Sequence, residues 1–357
     1  MDTKLQKIAA QFAVSQNPLA IAPLGNGLIN DTYLVESSSS SFVLQRINGD
    51  VFSQPHRIME NLSKLGQHIR GKTSDTVRLR IPDIILTRQG TSSYRDEENN
   101  VWRALERIHP AESRNHIQHE EEAAQIGFAL AHFHRLCVDL SPSLLHDTLP
   151  GFHVTPAYLT QYQQLLAQSI RVTVDDEFRQ CQAFIEAHEN DVNILENAKA
   201  RGELKEQLIH GDPKLNNFLF QPGSNHVVSL IDLDTVKPGL VHYDIADCLR
   251  SCCHDRESNH FDLNRCEIIL KNYFQEAGEF FSTNDYDYLY AAIWLIPFEL
   301  GLRFFSDYLN GNRYFKVTEP RHNLKRAQAQ LALCESIEGQ KNSLQQFIAD
   351  LRKRKAL

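Results

Sequence analysis

The chain has 357 residues, 42% of them hydrophobic and 23% charged, and a formal net charge of −8. That supplies enough apolar material for two lobes with their own cores, while the acidic balance argues against a nucleic-acid surface, which needs a basic field. No apolar run approaches the ~20 residues of a membrane span, the first residues lack a basic region leading into an apolar stretch, and seven scattered cysteines suit reduced thiols, so a cytoplasmic protein with neither membrane nor nucleic acid as partner is expected.

Residues 3–14 read as a short amphipathic helix with Leu5, Ile8, Ala9 and Phe12 on one face. Between the apolar runs of residues 21–35 stand Gly25, Asn26 and Gly27, the pattern of a hairpin whose amides can approach a ligand closely. Taken alone, this reads as an ordinary hairpin turn, and it is the motif further along the chain that favours a nucleotide role. The serines at 37–41 suit the tip of the next hairpin. Residues 42–48 form a strand that sends Gln45 and Arg46 to opposite faces. Residues 55–69 are helical, with Ile58, Leu62 and Leu65 in register and Glu60 either ion-paired or solvated. Residues 84–86, 92–94 and 101–105 complete an antiparallel sheet, and 106–110 make a hinge. From 115 to 136 the pattern is helical again. His132 and His134, two apart, point to different faces and read as structural rather than as a metal pair. Residues 141–156 read as a connecting loop. Helices follow over 156–169 and 176–200, the second ended by Gly202.

Residues 208–235 carry the pattern with chemical content. Two apolar runs, 218–220 and 227–231, flank Gln221-Pro222-Gly223-Ser224-Asn225, a hairpin with a turn-rich loop. Asp212 precedes the first strand, Asn217 opens it, and Asp232 closes the second. A hairpin brings its ends together, so Asn217 and Asp232 can meet with Asp212 nearby. Phosphoryl transfer from ATP uses such a set: one carboxylate positions the attacking hydroxyl and takes its proton, while an amide oxygen and a second carboxylate hold magnesium. Magnesium is a hard cation that prefers oxygen ligands. His210, Asp212 and Asn217 stand at the offsets of a kinase catalytic loop. Asp and Asn at this spacing also cap turns. The His before them and the strand ending in Asp after them favour Asp212 as the catalytic base, Asn217 and Asp232 as metal ligands, and His210 as support.

His-Gly-Asp-x-x-x-x-Asn followed by Ile-Asp-x-Asp resembles the signature of the aminoglycoside phosphotransferase superfamily, small-molecule kinases with a protein-kinase-like fold. Lys214-Leu215-Asn216-Asn217, with Ile231-Asp232-Leu233-Asp234-Thr235 and Pro238-Gly239, is similar to the N-acetylhexosamine 1-kinases, which phosphorylate the anomeric hydroxyl of GlcNAc or GalNAc. The resemblance covers most of the chain and is weaker in its middle. It implies an α+β, bilobal fold: a small antiparallel-sheet N-lobe over residues 1–107 and a large, mostly helical C-lobe over 108–357, with ATP and Mg2+ between them. It implies nucleotide-binding roles for Gly25, Asn26, Gly27, Asn30 and Thr32, because Ile29-Asn30-Asp31-Thr32-Tyr33 resembles the N-terminal part of that branch. A protein kinase places a phosphate-pairing Lys on the strand at 42–48. This chain has Gln45 and Arg46 there, and both are candidates for the role.

After the hairpin, residues 241–250 begin a helix with Asp244 near its positive end. The resemblance makes Asp244 a brace for the catalytic loop. Cys248, Cys252, Cys253 and Cys266 lack paired metal-ligand spacing and read as buried thiols. Residues 284–309 form a long apolar helix. The stretch Gly301-Leu302-Arg303-Phe304-Phe305 and then Gly311-Asn312-Arg313-Tyr314-Phe315 resembles the hexosamine kinases, which implies that Arg303 and Tyr314, with Asp212, line the acceptor pocket. A salt bridge from Arg303 to Asp307 is the competing structural role. Leu28 stands where those kinases have a histidine. A final helix covers about 320–353 and ends in a basic, solvated turn. The expected function is an ATP- and Mg2+-dependent sugar kinase, foremost for the anomeric hydroxyl of an N-acetylhexosamine. The alternatives are a kinase for another sugar, an amino alcohol or an aminoglycoside, and a non-catalytic ATP-binding pseudokinase.

Overall fold

The structure, a computed structural model, describes residues 3–12, 20–25, 29–37, 40–73, 76, 78–168, 172–278 and 280–355. Asn26, Gly27 and Leu28, and the serines at 38 and 39, lie outside the described residues.

The N-terminal lobe is built on a six-stranded antiparallel sheet. Strands β1 (Ala20–Pro23), β2 (Asp31–Glu36) and β3 (Ser41–Ile47) form a meander. β6 (Val101–Glu106) pairs with β3, and β4 (Ile84–Ile85) and β5 (Tyr94–Arg95) pair with β6. Register decides what each face carries. Thr32, Gln45 and Arg103 are cross-strand partners, as are Leu34, Val43, Leu105 and Ile84, so all seven share one face. The other face carries Val35, Phe42, Leu44, Trp102 and Ala104. These pack against Ile8, Ala9 and Phe12 from helix α1 (Thr3–Ala9) and the turn after it.

Helix α2 (Pro55–Arg70) starts with Pro in its first turn, where a missing N–H costs nothing. Its apolar stripe, Ile58, Met59, Leu62, Leu65 and Ile69, does not join the small core of the sheet. It belongs to the large core of the C-terminal lobe. The two lobes therefore share packing through α2.

The C-terminal lobe contains β7 (Glu112–Ser113), α3 (Glu120–Cys137), α4 (Thr155–Leu166), α5 (Asp176–Ala187), α6 (Ile194–Ala200), β8 (Gln207–Ile209), β9 (Phe218–Phe220), β10 (Val227–Leu230), β11 (Lys237–Gly239) and α7 (Val241–Cys252). The helices α8 (Leu263–Ala277), α9 (Thr283–Leu309), α10 (His322–Gly339) and α11 (Lys341–Lys355) complete it. α9 opens with a capping box between Ser282 and Asp285. By length and hydropathy it could cross a bilayer, yet 72% of its most apolar window is buried. It is the central helix of this lobe, flanked by α4, α7 and α10.

Two long helices expected from periodicity are each divided. The stretch 176–200 breaks at 188–193, where Asn190, Asp191 and Asn193 offer side-chain partners that compete with helical bonds. The stretch 320–353 breaks at Gly339 and Gln340, at the weak point a glycine introduces. All seven cysteines are buried and free, the four near α7 included.

Candidate active site

β9 and β10 pair antiparallel with Leu230 opposite Phe218, and the amide of Ile231 donates to the carbonyl of Asn217 at 2.9 Å. The pairing thus carries on to the end of the hairpin and fixes Asn217 beside the turn that holds Asp232. The Asn217 amide nitrogen donates to the backbone carbonyl of Asp212 at 2.7 Å and lies 3.4 Å from its carboxylate. That commits the nitrogen and leaves the amide oxygen available. Asp232 adopts a left-handed backbone, φ 66°, uncommon outside glycine and found at functional turns. The Lys214 ammonium pairs with Asp212 and lies 3.8 Å from Asp232. Asp212, Asn217 and Asp232, separated by up to 20 residues in sequence, are therefore drawn to one place. An amide oxygen and a carboxylate with a second carboxylate beside them are the hard oxygen donors that suit magnesium.

The loop carrying Asp212 is braced from below. Asp244, fully buried at the start of α7, accepts from the backbone amides of His210 at 2.6 Å and Gly211 at 2.8 Å. His134 of α3 lies 2.8 Å from the same carboxylate and is itself 2.7 Å from the Tyr273 hydroxyl. His132, by contrast, pairs with Glu276. The His210 ring accepts from the Asp212 amide through Nδ1, so Nε2 carries the proton and donates to the Ile231 carbonyl at 2.9 Å. One imidazole thereby ties the catalytic loop to the end of β10. Gly211 has φ 86°, and a Cβ there would lie 2.7 Å from the Thr235 carbonyl, so only glycine fits. His153, another buried residue, meets the Gly211 carbonyl at 2.8 Å and lies 3.3 Å from Glu299. Burial alone would lower its pKa, but the Glu299 carboxylate holds it above the ordinary value.

Charge is concentrated around Asp212. Burial, with the nearby carboxylates of Asp247 and Asp232, raises its pKa, and Lys214 works against that rise. Lys214 stays protonated because Asp212 and Asp232 outweigh its own burial. Asp247, one turn after Asp244 on α7, pairs with Arg250 at 2.8 Å, while its Oδ2 is buried with no hydrogen-bond partner.

Above the hairpin, the sheet turns its partly open face toward the C-terminal lobe. Asp234 joins the two: its carboxylate lies 2.5 Å from Arg103 Nη2 and accepts from the Asn30 amide at 2.7 Å. Arg103 Nε donates to Gln45 at 3.0 Å, and Gln45 donates to the Thr32 hydroxyl at 3.0 Å. Asn30, Thr32 and Gln45 thus stand together on the cleft side. Gly25, after β1, has φ 71°. Arg46 does not join this group. Alternation places it on the opposite face with Phe42 and Leu44, where it pairs with Asp31 and is 44% exposed. This corrects the expectation of Arg46 as a nucleotide ligand. Glu60 is likewise turned outward and pairs with His146 at 2.7 Å.

Arg303, predicted to line an acceptor pocket, lies in an aromatic cage. Its guanidinium carbon is 4.9 Å from the Phe152 ring centre, 5.1 Å from Tyr158, 5.6 Å from Phe315 and 6.0 Å from Tyr314. The carboxylate nearest to it is Glu299, one turn earlier, at 3.7 Å. The alternative pairing with Asp307 is not made. Asp307 instead accepts from the backbone amides of Arg313, Tyr314 and Phe315 and from Asn323, so it shapes the loop that presents Tyr314. Tyr314 is 41% exposed. Sequence reasoning did not single out Lys214, Arg103, Asp234, Asp247, His153 and Tyr158, which the structure places beside the predicted residues or their chain neighbours. For Lys214 a signal was present, since it stands two residues after Asp212 and shares its loop. The loop at 141–156, read as a plain connection, is tied to β11, with Lys237 reaching Asp147 and the Leu149 and Phe152 carbonyls.

Solved structures share this architecture. A microcompartment-associated aminopropanol kinase superposes with a TM-score of 0.63 at 17% identity, over 96% of this chain and 98% of that one. An aminoglycoside phosphotransferase from Alicyclobacillus acidocaldarius subsp. acidocaldarius gives 0.62 at 17%, over 98% and 96%. Amicoumacin kinase hAmiN, in complex with AMP-PNP, Ca2+ and Ami, gives 0.57 at 13%, over 93% of each chain. At such identities the likeness is one of fold, and the fold is that of the protein-kinase-like small-molecule kinases. The chain belongs to the phosphotransferase enzyme family (APH), whose profile matches residues 20–279.

Proposed function

We propose that this protein transfers the terminal phosphoryl group of ATP to a hydroxyl of a small sugar, foremost the anomeric hydroxyl of an N-acetylhexosamine. The lobes would divide at residues 107 and 108, and the reaction would take place in the cytoplasm. The observation that carries the proposal is the convergence of Asp212, Asn217 and Asp232 beneath the open face of the sheet. Leu34, Val43 and Leu105 on that face are only partly buried, which suits a roof over a nucleobase.

In this scheme Asp212 orients the acceptor hydroxyl and takes its proton. Lys214 keeps the neighbouring carboxylates compensated while the acceptor approaches. An anomeric hydroxyl is more acidic than an ordinary alcohol, so positioning counts for more than basicity. Asn217, through its amide oxygen, and Asp232 would hold Mg2+, which when bound neutralises charge on the phosphates. Tyr314 and Tyr158, both packed against Arg303, would offer aromatic surface to a sugar, and Arg303 would offer donors to its oxygens.

A second reading, an amino-alcohol or aminoglycoside acceptor, is favoured by the buried, unpartnered Oδ2 of Asp247 near Asp212, which suits a cationic amine. Magnesium-dependent ADP release with a panel of hexosamines, neutral sugars, amino alcohols and aminoglycosides tests both. Turnover confined to N-acetylhexosamines, with phosphate on the anomeric oxygen, is the expected result. Turnover confined to amines would select the second reading. ATP binding without ADP release from any acceptor would mean a pseudokinase.

A further inference from the structure

In a protein kinase, a strand lysine meets the nucleotide phosphates and is held by a helix glutamate. Neither part exists in that form here. Gln45 and Arg46 occupy the strand positions, Arg46 faces away, and Glu60 of α2 is 51% exposed and paired with His146. We propose that Arg103, on the neighbouring strand β6, is the cation that serves the phosphates, held by Asp234 in place of a helix glutamate.

The register between β3 and β6 sets Arg103 directly opposite Gln45, on the cleft face. Its side chain is 1% exposed and that of Asp234 is 3% exposed. Of its three nitrogens, Nε is bonded to Gln45 and Nη2 lies 2.5 Å from Asp234 Oδ1 as an ion pair, while Nη1, like that Oδ1, is buried without a hydrogen-bond partner. A native protein rarely leaves a buried charged donor unmade, and such a donor in a cleft marks a place for a ligand atom. The surroundings say which atom. Asp234 stands two residues after the metal-ligand candidate Asp232. Its other oxygen is bonded to Asn30, just before β2. The free N–H therefore lies between the β3 position of Gln45, on the strand where a protein kinase has its lysine, and the turn that carries Asp232 and Asp234. A phosphate oxygen is the acceptor that fits there, and a guanidinium, always charged and planar, can serve it while keeping its two anchors.

The inference rests on the nucleotide-binding reading above. Its test is direct binding of ATP, ADP and adenosine, without turnover, to the wild type, Arg103→Lys, Arg103→Met, Arg103→Met with Asp234→Asn, and Arg103→Met with Gln45→Lys. Arg103→Met is expected to weaken ATP and ADP about 10- to 100-fold, the range for a hydrogen bond to a charged group, and to leave adenosine within about twofold. Gln45→Lys, which restores a lysine on β3, is expected to recover most of that loss. The double variant with Asp234→Asn removes both charges and carries the measurement if Arg103→Met alone does not fold. Arg103→Lys keeps the charge but cannot span all three partners, and is expected to fall between. Equal losses for adenosine and ATP would make Arg103 only a strut between the lobes. Unchanged ATP affinity in the folded variants would also overturn the proposal. A wild type that binds adenosine but not ATP would remove the phosphate site, and one that binds neither would remove the nucleotide reading itself.

Discussion

Asp212 shows how a single side chain can carry opposing influences. Burial and two neighbouring carboxylates raise its pKa, and the Lys214 ammonium lowers it. A proton acceptor must be ionised, so kcat/KM should fall as pH drops through this raised value, at a higher pH than for an ordinary aspartate. Lys214→Met removes the lowering influence and should move that acid limb to still higher pH. A limb that stays in place or moves down would separate Asp212 from the profile. Asp212→Asn keeps the shape and the bond from Asn217 to the backbone carbonyl, and is expected to lower kcat by about 10²–10⁴-fold with ATP affinity retained. Near-normal turnover in that variant would remove Asp212 from the chemistry. The offsets of His210, Asp212 and Asn217 were legible because they lie within one loop and one strand start. Arg103 was not, because its role depends on a cross-strand register with Gln45, 58 residues away.

At the scale of elements, the bracing of the site depends on helices that approach closely. α3 supplies His134 to Asp244, and it packs on α8 at Gly127, where a Cβ would lie 2.2 Å from the Ile269 carbonyl oxygen. Gly127→Ala gains helix propensity of up to ~1 kcal/mol. The clash is with backbone, which cannot rotate away, and overpacking of this kind costs about 1–3 kcal/mol or more. The clash should win, and Gly127→Ala should lower the midpoint of thermal unfolding. Gly66→Ala in α2 is the control, because the nearest atom to its new Cβ is the flexible end of Arg70 at 3.2 Å. That variant should be neutral or mildly stabilising, and equal losses at both glycines would refute the packing argument. Most elements were legible from periodicity, but the breaks at 188–193 and at Gly339 were not, since an apolar stripe continues past the Asn and Asp residues and past the glycine that interrupt the helices.

For the whole molecule, the sheet lobe has its own small core, but α2 places its apolar stripe in the large one. Asp234 adds a charge pair and an amide bond between the lobes. The lobes should therefore unfold in one cooperative transition by calorimetry, and nucleotide with magnesium should raise its midpoint. Binding at 100 times Kd adds about 2.7 kcal/mol. Two resolved transitions, with only the second insensitive to nucleotide, would show that α2 does not couple them.

What the chain determined by itself was local: strands that alternate, helices with an apolar stripe, and a loop–hairpin pattern that sets an acid, an amide and a second acid at fixed offsets. Such features survive in sequence because they depend on residues a few positions apart. Tertiary structure alone decided that Arg46 faces solvent, that Arg303 leans toward Glu299 while Asp307 shapes the Tyr314 loop, and that Asp234 holds Arg103. A charged side chain takes the partner that burial and register bring to it, and both are set by contacts between segments far apart in the chain.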